Sequence, residues 1–400
     1  MLPRIKINYL SGQLGTVGTS PDGLVSIVAG ATAVASTFEL GISYKLRKLS
    51  ELTALGVTEE NNPALVHFVR DFYRQAEEGT EVVVCGVDPA KTMTELLSKE
   101  EGAVRKLIER HSGALRAIFL SSRAGDSEEV TEGLSPDVYT ALPEAQVLAD
   151  WATSELYAPL FIVLDGRGYT GRNLRDLSKQ SYNRVGVLVG STKQEDKGAS
   201  LGILAGRIAS IPVQRNAGRV RDGALKPETF YLDGKPIEEV QSEIIELYEK
   251  RYITFRRYVG RTGYFVADDN LATSPTDDYA QIANRRVIDK AYRLCYNSLL
   301  DLMLDELELN EDGTLQAPII KAWEQKVEDA INRSMTASGE LSSEDGEGCR
   351  CVIDPKQNVV ATSKIELTLK VRPHGYARYI DVALGFLVTA SEPSSGTDKK

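Results

Sequence analysis

Several groups of residues in this 400-residue chain have types and spacings that could do chemistry. Gly166, Gly168 and Gly171 form a G-x-G-x-x-G pattern directly after the apolar run 159–164. In a dinucleotide-binding loop such glycines let backbone N–H groups approach a pyrophosphate at the start of the next helix. Here Asp165 would set a carboxylate beside those phosphates, and the next apolar run, 184–189, ends at Gly190 and not at a ribose-binding acid, with Glu195 and Asp196 a few residues on. The same glycines suit any tight turn leaving a strand. The motif therefore admits an NAD(P)-type loop or a structural turn, and its neighbours favour the turn.

Gly198, Ser200 and Gly202 match the G-x-S-x-G of serine hydrolases. That elbow needs a strand immediately before the serine, whereas residues 193–197 are a polar loop. The small residues Gly202, Ala205, Gly206 and Ala209 predict a close-packed helix over 201–208 instead. His67, His111 and His374 are far apart and form no metal-binding pair. Cys349 and Cys351 supply two ligands where zinc takes four, and Cys85 and Cys295 sit singly in apolar runs, so the cysteines read as buried structural thiols. No catalytic, cofactor or metal site is expected.

The elements that position these residues alternate. Apolar runs at 81–87, 115–121, 159–165 and 184–190 read as strands, separated by helical stretches at 92–110, 142–156 and 173–182, with Pro143 in a first helical turn. Such alternation predicts an α/β fold with a mostly parallel sheet covered on both faces, over roughly residues 25–210. Residues 24–36 are an Ala/Val/Gly-rich run, 40–55 carry mixed helix and strand signals, and 64–76 resemble a short helix.

Beyond residue 210 the pattern turns towards α+β. A polar, turn-rich stretch, 211–236, contains Arg215, Arg219 and Arg221, and leads to a helix at 237–249 and a strand at 251–259. The longest helical signal, 277–307, places Ile288, Tyr292, Cys295, Leu299 and Met303 on one stripe. Arg285, Arg286, Lys290 and Arg293 fall on the other side as a solvent-facing basic band. That band is either a solvated face or a docking surface for an acidic partner. A second amphipathic helix, 317–335, carries Ile319, Ile320, Trp323, Val327 and Ile331, followed by an exposed loop at 338–348.

Both ends read as extended amphipathic strands. Ile5, Ile7 and Tyr9 alternate with Arg4, Lys6 and Asn8, and the glycine-rich stretch 12–23 separates them from the body. Ile365, Leu367, Leu369 and Val371 alternate similarly, and after the Pro373-His374-Gly375 turn Ile380, Val382, Leu384, Phe386 and Val388 share one parity. Strands need partners for their N–H and C=O groups. Pairing within the chain would supply them, as would donation to neighbouring copies, which gives open head-to-tail association.

Charge and composition narrow the classes. With 47 basic and 57 acidic residues the net charge is −10, which disfavours a general nucleic-acid or anionic-membrane surface. The longest apolar stretch, 24–35, is shorter than the roughly 20 residues a membrane span needs, and residues 1–10 lack the features of a secretory signal.

The chain resembles the sheath proteins of contractile phage tails and related contractile injection systems, in the divergent form of Bacteroidetes phages and phage-like elements. Residues 198–207 look like the family's small-residue helix, and residues 257–270 like the segment that opens its conserved C-terminal domain. Residues 279–307, with Asn284-Arg285-Arg286, are similar to the long helix that follows, and 376–388 to the terminal strand, while the W-G-x-R element of many sheaths is not evident.

The resemblance implies a structural, non-enzymatic subunit without cofactors. Its parts would be an N-terminal strand arm and hinge (1–23), an α/β domain (24–210), a C-terminal sheath domain (211–372) and a C-terminal arm with a frayed tail (373–400). It implies stacked hexameric rings around an inner tail tube, with baseplate and tail terminator proteins as further partners and no nucleic acid or membrane insertion. Ile5, Ile7, Tyr9, Ile380, Val382, Leu384 and Phe386 would form the inter-subunit arms, and Arg285, Arg286, Lys290 and Arg293 the tube-facing surface. The location would be a virion tail or an injection particle assembled in a bacterial cytoplasm. A non-contractile shell protein and an NAD(P)-binding enzyme are the alternatives.

Overall fold

The computed structural model describes residues 22–386 except Glu128. Its centre is a six-stranded sheet built from β1 (Val25–Gly30), β2 (Ser43–Leu46), β3 (Val82–Val87), β4 (Ala117–Ser121) and β5 (Phe161–Asp165), with β7 (Val185–Leu188) at one edge. The order is β2-β3-β1-β4-β5-β7, and all neighbours run parallel except the antiparallel edge strand β2. Every residue of β3, β4, β5 and β7 is buried, as expected when helices cover both faces of a parallel sheet.

Strand β1 sits in the middle of that sheet, although its sequence, VSIVAG, gives no alternation. A strand buried on both faces has no polar side to mark its period. The mixed stretch after it becomes β2 and the short helix α1 (Leu49–Ala54).

Helices α2 (Pro63–Ala76) and α6 (Leu201–Ser210) pack together on one face, and glycines set their separation. A Cβ at Gly202 would collide with the Phe68 carbonyl oxygen, and one at Gly206 would stand 2.5 Å from that of Phe72. The expected helix over 92–110 is two helices, α3 (Met93–Leu97) and α4 (Ala103–Arg110).

Helix α5 (Pro136–Ser154) begins earlier than expected, with Pro136 in the first turn and Pro143 in the interior. An interior proline costs about 3 kcal/mol. Burial of Val138, Leu142 and Leu148, at about 1.5–3 kcal/mol each, outweighs it.

No α-helix forms over 173–182. A 3₁₀ turn at Leu177–Lys179, capped by the Asp176 side chain on the Ser178 amide, leads into β6 (Ser181–Tyr182). Small antiparallel pairs follow: β8 (Tyr231–Leu232) with β9 (Lys235–Pro236), and β10 (Phe255–Arg256) with β11 (Phe265–Val266). β12 (Ala272–Thr273) returns to pair with β6, and helix α7 (Gln241–Glu249) lies between these pairs in sequence.

The main apolar core is continuous from Val25 to Ile282. Smaller clusters serve the rest, where α8 (Ile282–Leu300) and α9 (Ala317–Ile331) accompany β13 (Cys349–Ile353) and its antiparallel partner β14 (Leu367–Val371). No helix among the described residues is long and apolar enough to cross a membrane.

Candidate assembly site

The two catalytic patterns are absorbed by the fold. Asp165, at the end of β5, is fully buried and accepts hydrogen bonds from Ser121 Oγ and the Ala199 amide, both at 2.6 Å. Arg167 turns inward to pair with Asp165 at 3.1 Å and reaches Asp126 with Nε at 2.7 Å. The glycine turn is thus occupied by its own side chains, and with no helix after Gly171 there is no helix N-terminus to meet a pyrophosphate.

Ser200 is 1% exposed and precedes α6 from a loop. Its Oγ accepts from the Thr192 amide at 2.8 Å, and the Thr192 hydroxyl, 3.2 Å from His67 Nε2, stands between serine and histidine. Burial pushes His67 down to about 4. The arrangement is packing between α2 and the 190s loop, without a nucleophile–base contact.

The cysteines follow the sequence reading: Cys85, Cys349 and Cys351 are buried free thiols and Cys295 is half-buried. Among the described residues no group of His, Cys, Asp and Glu could hold a metal ion.

Helix α8 departs from expectation. Arg285 and Arg286 are buried, and the side chains of Lys290 and Arg293 are each 14% exposed, so the four do not form a solvent-facing band. Arg285 pairs with Asp289 at 3.0 Å, which also holds Arg184 at 3.1 Å. Arg286 donates to the Ile211 carbonyl at 3.0 Å, and burial lowers its pKa to about 10. Lys290 reaches Asp22 at 2.7 Å and Glu340 at 2.6 Å, and Arg293 reaches Asp22 at 2.6 Å. A helical wheel misses this because every partner except Asp289 comes from elsewhere in the chain. The expected inner stripe is correspondingly looser: Ile288, Tyr292, Cys295 and Leu299 are half-buried and Met303 is exposed.

Asp22 is the first described residue, and two cations of α8 hold it. Ile5, Ile7 and Tyr9 lie outside the described residues.

A second cluster clamps residues 376–379. Tyr376 donates to the Gln214 carbonyl at 2.5 Å, Arg378 Nε donates to Asp268 at 2.9 Å, and the Tyr379 and Tyr248 hydroxyls are 3.1 Å apart. The neighbouring Asp269 is fully enclosed, and burial followed by the charge of Asp268 raises its carboxyl well above the usual range. Asp269 accepts from the Ala283 amide at 3.1 Å, in the first turn of α8, and Asn216 bridges both carboxylates at 2.5 and 2.6 Å. The clamp borders a cleft of about 750 Å³ whose walls include Arg215, Arg219 and Arg256.

Past the clamp the chain leaves the body. Ile380, Val382, Leu384 and Phe386 are 78%, 76%, 96% and 102% exposed and form no strand here, where the sequence pattern expected one. Single exposed apolar residues are ordinary on a monomer, whereas four alternating ones in seven positions form a face without a partner. The sequence reading missed Asp22, Asp268, Asp269, Glu340 and the Tyr376/Arg378/Tyr379 clamp. Asp268-Asp269-Asn270, an acidic run that is buried, was the available signal.

Similar architecture occurs in solved structures. The helical sheath of the anti-feeding prophage (AFP) in its contracted state matches with a TM-score of 0.62 at 14% identity, over 96% of this chain and 99% of that one. The sheath complex of the extracellular contractile injection system PVC, also contracted, matches at 0.58 and 14%, over 96% and 97%. A sheath tail protein from Desulfitobacterium hafniense matches at 0.53 and 11%, over 92% and 99%. No curated protein matches the chain in sequence.

The fold is the one seen in these contractile-sheath structures. Residues 2–270 match the family model described as DUF2586, N-terminal domain, and residues 278–391 match DUF2586, C-terminal domain. The chain belongs to the DUF2586 family.

Proposed function

We propose that this chain is the subunit of a contractile sheath. It polymerises head to tail into stacked, hexameric rings around an inner tube, and its contraction drives that tube through a target envelope. The observation that carries the reading is the row Ile380, Val382, Leu384 and Phe386, which leaves a clamped root and finds no partner within the described residues. A matching chain in the 6-fold symmetrised AFP baseplate structure supports rings of six.

The N-terminal arm, carrying Ile5, Ile7 and Tyr9, and the C-terminal arm then donate strands to neighbouring copies, with residues 12–23 as the hinge. Residues 24–210 and 211–372 form the two parts of the body. The partners are further copies of the chain, the inner tail tube, the baseplate and the tail terminator. The particle is a virion tail or an injection system assembled in a bacterial cytoplasm. The energy comes from a metastable extended assembly that relaxes to a more extensively paired one.

Electron microscopy of the purified chain tests this reading. Tubes or ring stacks are expected, and deletion of residues 1–20 should abolish them while the body stays folded. A monodisperse monomer at high concentration would overturn it.

A further inference from the structure

We propose that Glu324 and Glu328 close one edge of the β13–β14 pair, so that residues 380–386 of a second copy add as a strand only along β14. This rests on the strand-donation reading and names its receiving edge.

The register fixes which backbone groups are available. Arg372 donates to the Gly348 carbonyl at 2.8 Å, and Arg350 and Val352 lie opposite Lys370 and Thr368. In an antiparallel ladder inward and outward hydrogen bonding alternates residue by residue. The amides of Cys351 and Ile353 therefore point away from β14, and those of Leu367, Leu369 and Val371 point away from β13.

The outer edge of β13 is already occupied. The Cys351 amide donates to Glu328 Oε1 at 2.7 Å, and the Ile353 amide donates to Glu324 Oε1 at 3.0 Å. Four residues along a helix rise about 6 Å and two residues along a strand span about 6.7 Å, so one helical turn of α9 matches two outward amides. Lys321 holds Glu324 at 2.6 Å, and the two contacts keep that carboxyl below its usual range. An incoming strand would have to displace two charge-assisted hydrogen bonds.

The outer edge of β14 has no such cover among the described residues. Leu367, Leu369 and Val371 are half-buried on the face shared with Cys349, Cys351 and Ile353, while Thr368 and Lys370 are exposed on the other. Residues 380–386 have the same alternation. Seated beside β14, they continue the apolar face with Ile380, Val382, Leu384 and Phe386, and bring Asp381 to the side of Lys370.

Disulfide trapping in the full chain tests this. Chains carrying Lys370→Cys or Arg350→Cys are each mixed with chains carrying Asp381→Cys or Ala383→Cys, and reducible dimers are scored on a gel against the unsubstituted chain. A strand on β14 brings the first pair within the roughly 7 Å between Cα atoms that a disulfide tolerates, and leaves Arg350 two strands, about 9.6 Å, away. The expected result is cross-linking through Lys370→Cys only, with Arg350→Cys becoming competent when Glu324→Ala and Glu328→Ala are added. Cross-linking through Arg350→Cys without those changes overturns the proposal and leaves the sheath reading intact. So does a Lys370→Cys chain that traps Lys6→Cys of the N-terminal arm and not the C-terminal arm, or tubes that form with no cross-link at either position. Chains that stay monomeric and never cross-link sink both readings.

Discussion

Asp22 and Lys290 meet at 2.7 Å, joining the first described residue to the middle of α8. Arg293 binds the other Asp22 oxygen at 2.6 Å, so one carboxylate joins two cations of the helix. The first turn of the same helix is held by Asp269, whose neighbour Asp268 holds Arg378. Helix α8 thus ties Asp22 to the segment around Arg378.

Replacing Asp22 by Asn should cost about 2 kcal/mol, the range of hydrogen bonds to charged groups. Lys290 would keep Glu340, but Arg293 would lose its carboxylate. Urea denaturation of the full chain reads the change, and an unshifted midpoint would show that the contact holds nothing.

The same pair sets a pH dependence. Burial alone would raise the Asp22 carboxyl, but the hydrogen bond and charge of Lys290, with Arg293, overcome it and hold the group below its ordinary value. A carboxyl depressed in the folded state contributes stability that is present above the unfolded pKa and lost as pH falls through the folded one. Wild-type stability should therefore fall more steeply than that of Asp22→Asn on acidification from about pH 5 downward, as melting at stepped pH would reveal.

Arg286→Glu tests the inward placement of the α8 cations. A carboxylate beside the Ile211 and Pro212 carbonyls, with no cation to replace the lost one, should cost about 3–5 kcal/mol and reduce soluble yield. A variant that melts like the parent would return Arg286 to the surface that the helical wheel predicted.

Gly202→Ala should destabilise the chain by about 1–3 kcal/mol, because a methyl group at that position meets the Phe68 backbone and the helices must separate. Thermal melting measures this. Ser200→Ala, a few atoms away, removes hydrogen bonds to Thr192 but forces no such separation.

Leu384→Asp with Phe386→Asp should leave the unfolding free energy unchanged within about 0.5 kcal/mol, since both side chains are fully exposed in the single chain. The same variant should fail to assemble in sedimentation and microscopy. Tubes that form normally would mean that the C-terminal arm takes no part in contacts between copies.

Much of the sheet was legible in the sequence. Strands β3, β4, β5 and β7 are uninterrupted apolar runs because both faces are buried, and α6 announced itself through small residues at helical spacing. β1 was not legible, because an Ala/Gly/Ser-containing run looks alike in a loop and in the middle of a sheet. Local periodicity reports only which faces of an element differ in polarity.

The sequence alone determined an α/β body and an alternating apolar row towards the C-terminal end. Only the tertiary structure decided what the charges do. Arg285, Arg286, Lys290 and Arg293 look like a surface on one helix and are interior, because Asp22, Asp289, Glu340 and the carbonyls of Ile211 and Pro212 converge on them. A charge can be buried once partners compensate its lost hydration, and partners brought together by folding leave no mark in the local sequence.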